Sequence, residues 1–175
     1  MNRALIIAVP LTLALAACQT VDEAPNERLG QATLRLASGL PGGTVQLLAS
    51  GTQVNISIAV VGLSPGVHGM HLHTNGACDA PDFASAGAHL NPDGRQHGTS
   101  NPAGAHLGDL PNVTVGNAGT GTVSATLQGP RDAVLAQLFD ADGTAVVVHA
   151  NADDYRTDPS GNSGGRIACG MLTRT

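Results

Sequence analysis

Short stretches of alternating apolar and polar residues recur along most of the chain. The clearest covers residues 53–61, where Val54, Ile56, Ile58 and Val60 alternate with asparagine, serine and alanine. This period of two predicts a strand with one face on a core and the other in water. Seven further strands are predicted at 32–37, 43–49, 67–73, 113–115, 121–127, 144–149 and 166–171. Gly, Pro, Asn and Asp divide them, so we predict an all-β domain of antiparallel, half-buried strands.

Two long segments, 74–110 and 150–165, show no such alternation and are rich in Gly, Pro, Asn and Asp. Loops of that length inside a compact domain are usually functional or disordered. All the histidines of the chain lie in or beside these segments: His68, His71, His73, His89, His97, His106 and His149. The two loops are therefore the predicted location of the chemistry.

The amino terminus predicts export. Arg3 is followed by an apolar run over residues 4–15, which is short for a membrane span of about 20 residues, so residues 1–17 are interpreted as a signal peptide. The sequence Leu-Ala-Ala before Cys18 resembles a bacterial lipobox, which implies a lipid on the Cys18 sulfur and a membrane anchor. The alternative is an ordinary signal peptide with Cys18 near the cut by chance.

Residues 18–29 are polar and predict a tether, which leaves residues 30–175 for one compact domain. The chain has no lysine, and without the signal peptide seven arginines face thirteen acidic residues, a net charge of −6. That balance argues against nucleic-acid binding. The expected location is the bacterial cell envelope, lipid-anchored on the periplasmic side. Gln19, in place of Asp, favours the outer membrane.

Cysteine and histidine spacing adds two hypotheses. If Cys18 carries lipid, Cys78 and Cys169 remain as a pair in an oxidising compartment, and a disulfide between them is the simplest account. His71 and His73 lie two residues apart on a predicted strand, so both imidazoles share a face and can bind one metal.

A wider pattern carries a family resemblance. It consists of 66–73 (GVHGMHLH), Cys78, 87–92 (GAHLNP), His97, 106–109 (HLGD), 146–153 (VVVHANAD) and 165–170 (GRIACG). In this order, from about 32 to 171, the chain resembles the copper/zinc superoxide dismutases. The resemblance implies an eight-stranded antiparallel Greek-key barrel or sandwich with two long metal-binding loops. Because family members are commonly dimers, a homodimer is also expected.

The resemblance also implies the metal ligands. Copper would be bound by His71, His73, His89 and His149, and zinc by His89, His97, His106 and Asp109. Four nitrogens suit tetragonal Cu(II), and three histidines with a carboxylate suit tetrahedral zinc. His89 would bridge the two ions and relay a proton.

Two further residues match the family. Asp153 is expected to join His71 to His97, and Arg166, three residues before Cys169, to attract the anion beside copper. The simpler interpretations are a solvated loop acid and a surface arginine. His68 is interpreted as a structural hydrogen-bonding residue. Asn112 is interpreted as a polar turn residue.

The loop 151–165 departs from the family pattern. It has three Asp against one Arg and lacks a lysine, which predicts weaker steering of anions. Three of its charged residues have no family match and are interpreted as ordinary loop charges: Asp154, Arg156 and Asp158.

The implied function is superoxide dismutation: two superoxide anions and two protons become oxygen and hydrogen peroxide while copper is alternately reduced and oxidised. The alternatives are a non-catalytic copper-binding envelope lipoprotein and a purely structural β-sandwich.

Overall fold

A computed structural model describes residues 27–175, which form an antiparallel β fold. The strands are β1 (Arg28–Leu36), β2 (Pro41–Ser50), β3 (Gln53–Val61), β4 (Gly66–His68), β5 (Met70–His73), β6 (Val113–Val115), β7 (Thr120–Thr126), β8 (Ala145–His149), β9 (Arg166–Met171) and β10 (Thr173–Arg174). One helix, α1 (Arg131–Leu138), and a 3-10 turn (Ala84–Ala86) complete the described elements. The predicted signal peptide, Cys18 and the tether up to residue 26 lie outside the described residues.

The strands form a curled main sheet and a small second one. The main sheet has the order β5-β8-β9-β1-β2-β3-β7, with β10 added to β1, and β4 pairs with β6 in the second sheet. Every pairing is antiparallel, and the chain crosses over between strands distant in sequence, as in a Greek key. The predicted fold class is confirmed. In residues 27–175 no helix has the length and apolar character to cross a membrane.

The core follows directly from the alternation. Ile58 is paired with Val45 on one side and Val123 on the other, and its side chain is 1% exposed. The other inward positions of β3 and those of the neighbouring strands add Leu34, Leu47, Val54, Ile56, Val60, Met70, Leu72, Val146 and Val148. Each buried aliphatic side chain of this kind stabilises the fold by about 1.5–3 kcal/mol, so the barrel is a rigid base for what its outer face carries.

Strands β5 and β8 position the histidines. Met70 and Leu72 face the core, so His71 and His73 point to the opposite face of β5. The other edge of β5 is covered by the first long loop, because the Leu72 N–H donates to Gly108 and the Leu72 carbonyl accepts from the Leu90 N–H. The loop is thereby fastened along the strand that carries two of the histidines.

The predicted bounds match the structure for β3, β6 and β9. The predicted strand 67–73 is wrong as one element: Gly69 leaves the ladder to bond Asn151 and His149, and the chain passes there from the small sheet to the main sheet. Strand β1 begins at Arg28, two residues inside the predicted tether, and α1 and β10 were not predicted.

The predicted disulfide is confirmed. Cys78 and Cys169 are bonded across a sequence separation of 91 residues, with their Cα atoms 5.7 Å apart. Cys169 lies on β9 and packs with Phe83, Ala86 and Val147 in a second small apolar cluster. This cluster and the disulfide hold the start of the first long loop against the outer face of the main sheet.

Candidate metal centre

Two adjacent groups of buried side chains lie outside the barrel, under the two long loops. The first, called here the strand group, consists of His71, His73, His149 and His89, each offering one ligand atom within 4.8 Å of the others. The second, called the loop group, consists of His89, His97, His106 and Asp109 around one carboxylate oxygen. All six histidines are 7% exposed or less. The structure therefore brings every predicted ligand together.

Outer partners orient the imidazoles of the strand group. Nδ1 of His73 donates to the Gly87 carbonyl at 2.9 Å, and Nδ1 of His149 donates to the Gly164 carbonyl at 3.1 Å. Because a carbonyl can only accept, the lone pair of each ring lies on Nε2. In His71 the two ring nitrogens exchange these roles. Its Nε2 donates to an Asp153 oxygen at 2.7 Å, so the lone pair lies on Nδ1.

The three inward nitrogens of these rings, His73 Nε2, His149 Nε2 and His71 Nδ1, are buried without a hydrogen-bond partner. Buried nitrogens of this kind are rarely left unpaired in proteins. Three convergent imidazole lone pairs with His89 beside them fit the nitrogen set that Cu(II) prefers. The donor chemistry therefore fits copper.

The loop group has the spacing of a tetrahedral site. Oδ1 of Asp109 lies 3.0 Å from His97 Nδ1, 3.2 Å from His106 Nδ1 and 3.3 Å from His89 Nδ1. Ligands about 2.0–2.1 Å from a zinc ion at tetrahedral angles are about 3.3 Å apart. The contact between Asp109 and His97 Nδ1 is short but not aligned as a hydrogen bond, as expected when both lone pairs point at a common centre.

His71 also lies within reach of the loop group, together with His89, His97 and Asp109. Its orientation assigns it elsewhere, since Nε2 faces Asp153 and Nδ1 belongs to the strand group. His106 instead donates from Nε2 to the Arg95 carbonyl at 3.1 Å, which leaves the Nδ1 lone pair for the loop group. The orientation of His106 therefore fits the fourth place in that group.

His89 belongs to both groups. Its Nδ1 faces Asp109, and its ring stacks on that of His71 with centroids 3.8 Å apart. In the described part of the chain its ring nitrogens have no backbone carbonyl partner, unlike those of His73, His106 and His149. Such a ring can present a nitrogen to each site, which is the geometry that a bridging ligand requires.

The protonation of these groups favours cation binding. Burial lowers the pKa of His73 to about 2, of His149 to about 3 and of His89 to about 4, so their lone pairs are available at neutral pH. For His97 burial is outweighed by Asp109 and Asp153, which raise its pKa to about 9. This corner between two carboxylates therefore attracts positive charge, either a proton or a metal ion.

Asp153 links the two groups. One carboxylate oxygen lies 2.7 Å from His71 Nε2, and the other lies 2.9 Å from His97 Nε2 and accepts the Tyr155 N–H at 2.7 Å. Burial would raise the pKa of Asp153, but these hydrogen bonds hold it well below its usual range. Asp153 thus places an ionised carboxylate between a strand-group ring and a loop-group ring, the position that the family resemblance implies for it.

Arg166 is half-buried beside the strand group. Its Nη1 donates to the Phe83 carbonyl and its Nη2 to the Gly87 carbonyl, both at 2.6 Å. The Gly87 carbonyl also accepts from His73, so one backbone oxygen positions a ring and the guanidinium together. The remaining donors of Arg166 are available to a small anion.

Three loop residues have roles that the sequence interpretation missed. Asp158 accepts the backbone N–H of His97 at 2.6 Å, and Asp154 accepts from the N–H of Arg156, the N–H and hydroxyl of Thr157, and the amide of Asn162. Their interpretation as ordinary loop charges is wrong. Asn112 bonds the backbone of Asp153 and is more than a polar turn residue. Aspartate side chains in loops often accept the backbone N–H two residues further on, and this turn preference could have identified Asp154.

His68 has the structural role that was predicted for it. It is 5% exposed, and its ring nitrogens lie 2.8 Å from the His149 carbonyl and 3.0 Å from the Ser64 carbonyl. It thereby supports the backbone of a strand-group residue without belonging to either group.

Comparisons with known proteins agree with this geometry. The family model "Copper/zinc superoxide dismutase (SODC)" matches residues 42–172. The chain is 39% identical over 149 residues to the Cu-Zn superoxide dismutase of Caulobacter vibrioides, which covers 81% of this chain and 83% of that protein. It is 44% identical over 124 residues to the superoxide dismutase-like protein YojM of Bacillus subtilis, and this match spans 68% of this chain and 62% of YojM.

A solved structure is also similar. The crystal structure of a SOD-like protein from Bacillus subtilis superposes with a TM-score of 0.73 at 38% identity, covering 82% of this chain and 97% of that chain. The similarity therefore extends over most of the described barrel and its loops.

Proposed function

The chain belongs to the copper/zinc superoxide dismutase family, and from that premise we propose that it is an oxidoreductase that converts two superoxide anions and two protons into oxygen and hydrogen peroxide. The observation that carries the proposal is the pair of adjacent buried groups that share His89. One group offers only imidazole nitrogens and the other three imidazoles and a carboxylate.

The proposal assigns copper to the strand group and zinc to the loop group. Copper would supply the one-electron chemistry, being reduced by one superoxide and reoxidised by the next. Zinc in a closed site has a structural role and would hold His89, His97 and Asp109 in place. Asp153 fixes the tautomers of His71 and His97, which raises the basicity of both ligands.

The residues of the chain supply the proton and the anion site. His89 is the proposed relay: with its Nδ1 on the zinc side, its Nε2 would be the nitrogen that holds one proton and gives it to the peroxide product, and solvent would supply the second proton. Its Nδ1 stays on the zinc side, so the ring keeps its place throughout. Arg166 remains charged at any working pH and is aimed by two backbone carbonyls, so it would bind the anion beside copper.

Location and assembly complete the proposal. We propose that residues 1–17 are removed, that Cys18 carries lipid, and that the domain is held at the bacterial envelope on the periplasmic side, with the outer membrane favoured by Gln19. The Cys78–Cys169 disulfide is consistent with an oxidising compartment. A homodimer is proposed on family membership alone, and sedimentation of the purified chain tests it.

The deciding experiment combines metal analysis with an assay. Elemental analysis of the purified chain should give one copper and one zinc per chain, and dismutation should disappear on copper removal and return on copper replacement. Arg131→Ala is a control, since Arg131 lies on α1 and belongs to neither group, so this variant should keep both metals. Stoichiometric copper with no dismutation above protein controls would refute the enzyme and establish the copper-binding alternative.

A further inference from the structure

We propose that Asn112 is a positioning residue that holds the Asp153 carboxylate between the two metal groups and thereby couples zinc retention to the geometry of the strand group. The inference rests on the proposed function only in its assignment of zinc to the loop group. Asn112 contacts no member of either group directly, and every step below acts through Asp153.

The side chain of Asn112 grips the backbone of Asp153 at both ends. Its Oδ1 accepts the Asp153 N–H at 2.9 Å, and its Nδ2 donates to the Asp153 carbonyl at 2.9 Å. A third bond runs from the Asn112 N–H to the Tyr155 hydroxyl at 2.7 Å. These two hydrogen bonds of the Asn112 side-chain amide have the same pattern as the pair of N–H···O=C bonds that two antiparallel strands exchange. They fix both the N–H and the carbonyl of Asp153.

The backbone of Asn112 is held by a neighbouring strand. It directly precedes β6, where Val113 pairs with His68 of β4, and it follows Asp109 by three residues. One short segment therefore carries a loop-group ligand, the grip on Asp153 and a strand anchor. Sites held by such supports are more precise than those on unsupported loops.

The carboxylate has little room to move. A Cβ at Gly161 would lie 1.8 Å from Asp153 Oδ1 and 2.6 Å from His97 Nε2, so the second long loop closes directly over the contact. Tyr155 donates its N–H to the same oxygen. Because the contacts to His71 and His97 use opposite oxygens, a shift of the Asp153 backbone weakens both.

The test uses zinc alone and does not depend on dismutation. Zinc release from the full chain to a chromogenic chelator is followed in Asn112→Ala, with an expected acceleration of about tenfold, equal to 1.4 kcal/mol. Asn101→Ala is the matched control. The Asn101 amide also ties the first long loop to the second, at the Arg156 carbonyl, without touching Asp153. Its release rate should change less than about twofold, the range of a weak exposed bond.

A double-mutant cycle separates positioning from general loosening. In an Asp153→Asn background the carboxylate is already lost, so adding Asn112→Ala should change zinc release less than about twofold. Equal acceleration in both backgrounds would show that Asn112 acts independently of Asp153, and no acceleration in the native background would show that it has no role. Either result overturns the proposal.

Tyr155→Phe is the milder second variant if Asn112→Ala does not fold. It removes only the hydroxyl that accepts the Asn112 N–H, and it should accelerate zinc release by about twofold to threefold, again only when Asp153 is present. An unchanged rate in this variant counts against the proposal. Loss of the proposed function has a different signature: native chain that retains zinc but lacks dismutation.

Discussion

The two metal groups are built in different ways. Three residues of the strand group lie on β5 and β8, where the ladder fixes each backbone and the core lies directly behind. The three residues particular to the loop group lie in the segment 74–110, outside the named strands, and hydrogen bonds within and between the loops hold them. Asp109 Oδ2 accepts the Gly98 and His106 N–H groups, and Asp158 accepts the His97 N–H.

The two groups therefore differ in what stabilises them: the barrel stabilises the strand group, and a bound cation stabilises the loop group. Hydrophobic burial stabilises the strand group whether or not a ligand is present, because Met70 and Leu72 anchor β5 in the core. The loop group places His97 and its two carboxylates in one buried corner, and a cation there offsets their charge. We therefore expect zinc to stabilise the loops and copper to depend on the barrel.

The largest expected effect comes from removing one ligand of each group. His149→Ala should lower kcat/KM by at least about 1000-fold, which is about 4 kcal/mol, while zinc is retained. His106→Ala should lose zinc but still bind copper and keep a measurable fraction of the activity. Elemental analysis and a dismutation assay measure both. If His106→Ala loses copper as completely as zinc, the two groups are not separable in this way.

Loss of the disulfide should be next in size. Cys169→Ser should lower the free energy of unfolding by about 2–4 kcal/mol, since the bond closes a long loop in the unfolded chain. Because the bond also holds the segment that carries Phe83 and Gly87, activity should fall as well. Urea unfolding measures the stability, and native chain treated with reductant is the matched comparison. Stability equal to that of the oxidised native chain would contradict this role.

Arg166→Ala tests the anion site and should have a smaller effect. We expect kcat/KM to fall about tenfold, because a hydrogen bond to a charged group contributes about 1.5 kcal/mol, while copper and zinc contents stay unchanged. Arg131→Ala is the matched control, since Arg131 lies on α1, away from β8 and β9, and its charged neighbour is Asp132 at 4.0 Å. Similar activity losses in the two variants would remove the special role of Arg166.

The smallest effect is expected in the core. Ile58→Val removes one buried methylene from β3 and should lower the free energy of unfolding by about 0.5–1.5 kcal/mol. Activity per bound copper should not change, because β3 lies in the part of the sheet distant from β5 and β8. Thermal unfolding and the same assay suffice. Reduced activity per copper would mean that the barrel transmits small changes to the metal groups.

The sequence predicted the barrel best where alternation was strict. The bounds of β3 are reproduced because its apolar residues all face one core, whereas Gly69 moves the chain between sheets through contacts with Asn151 and His149 that no local pattern reveals. Helix α1 was missed because eight residues form a marginal helix without tertiary packing, here of Val134, Leu135 and Leu138.

For the metal centre the sequence supplied the residue types and their order, through the family resemblance. Tautomers and outer partners could not be predicted, since they depend on carbonyls brought from distant segments, such as Gly164 to His149 and Gly87 to Arg166. Asn112 was missed for the same reason: its partner Asp153 lies 41 residues away, and an asparagine before a strand has no local signal of that role.

The alternation of β5 has an evolutionary consequence. Met70 and Leu72 fill the core while His71 and His73 face the metals, so a shift of one residue along β8 would exchange apolar side chains for ligands on both faces at once. Insertions or deletions inside β5 should therefore lower the stability of the fold and abolish metal binding together, because the same shift moves the core residues and the ligands. The long loops carry no such restriction over much of their length, and changes of chain length between relatives should accumulate there.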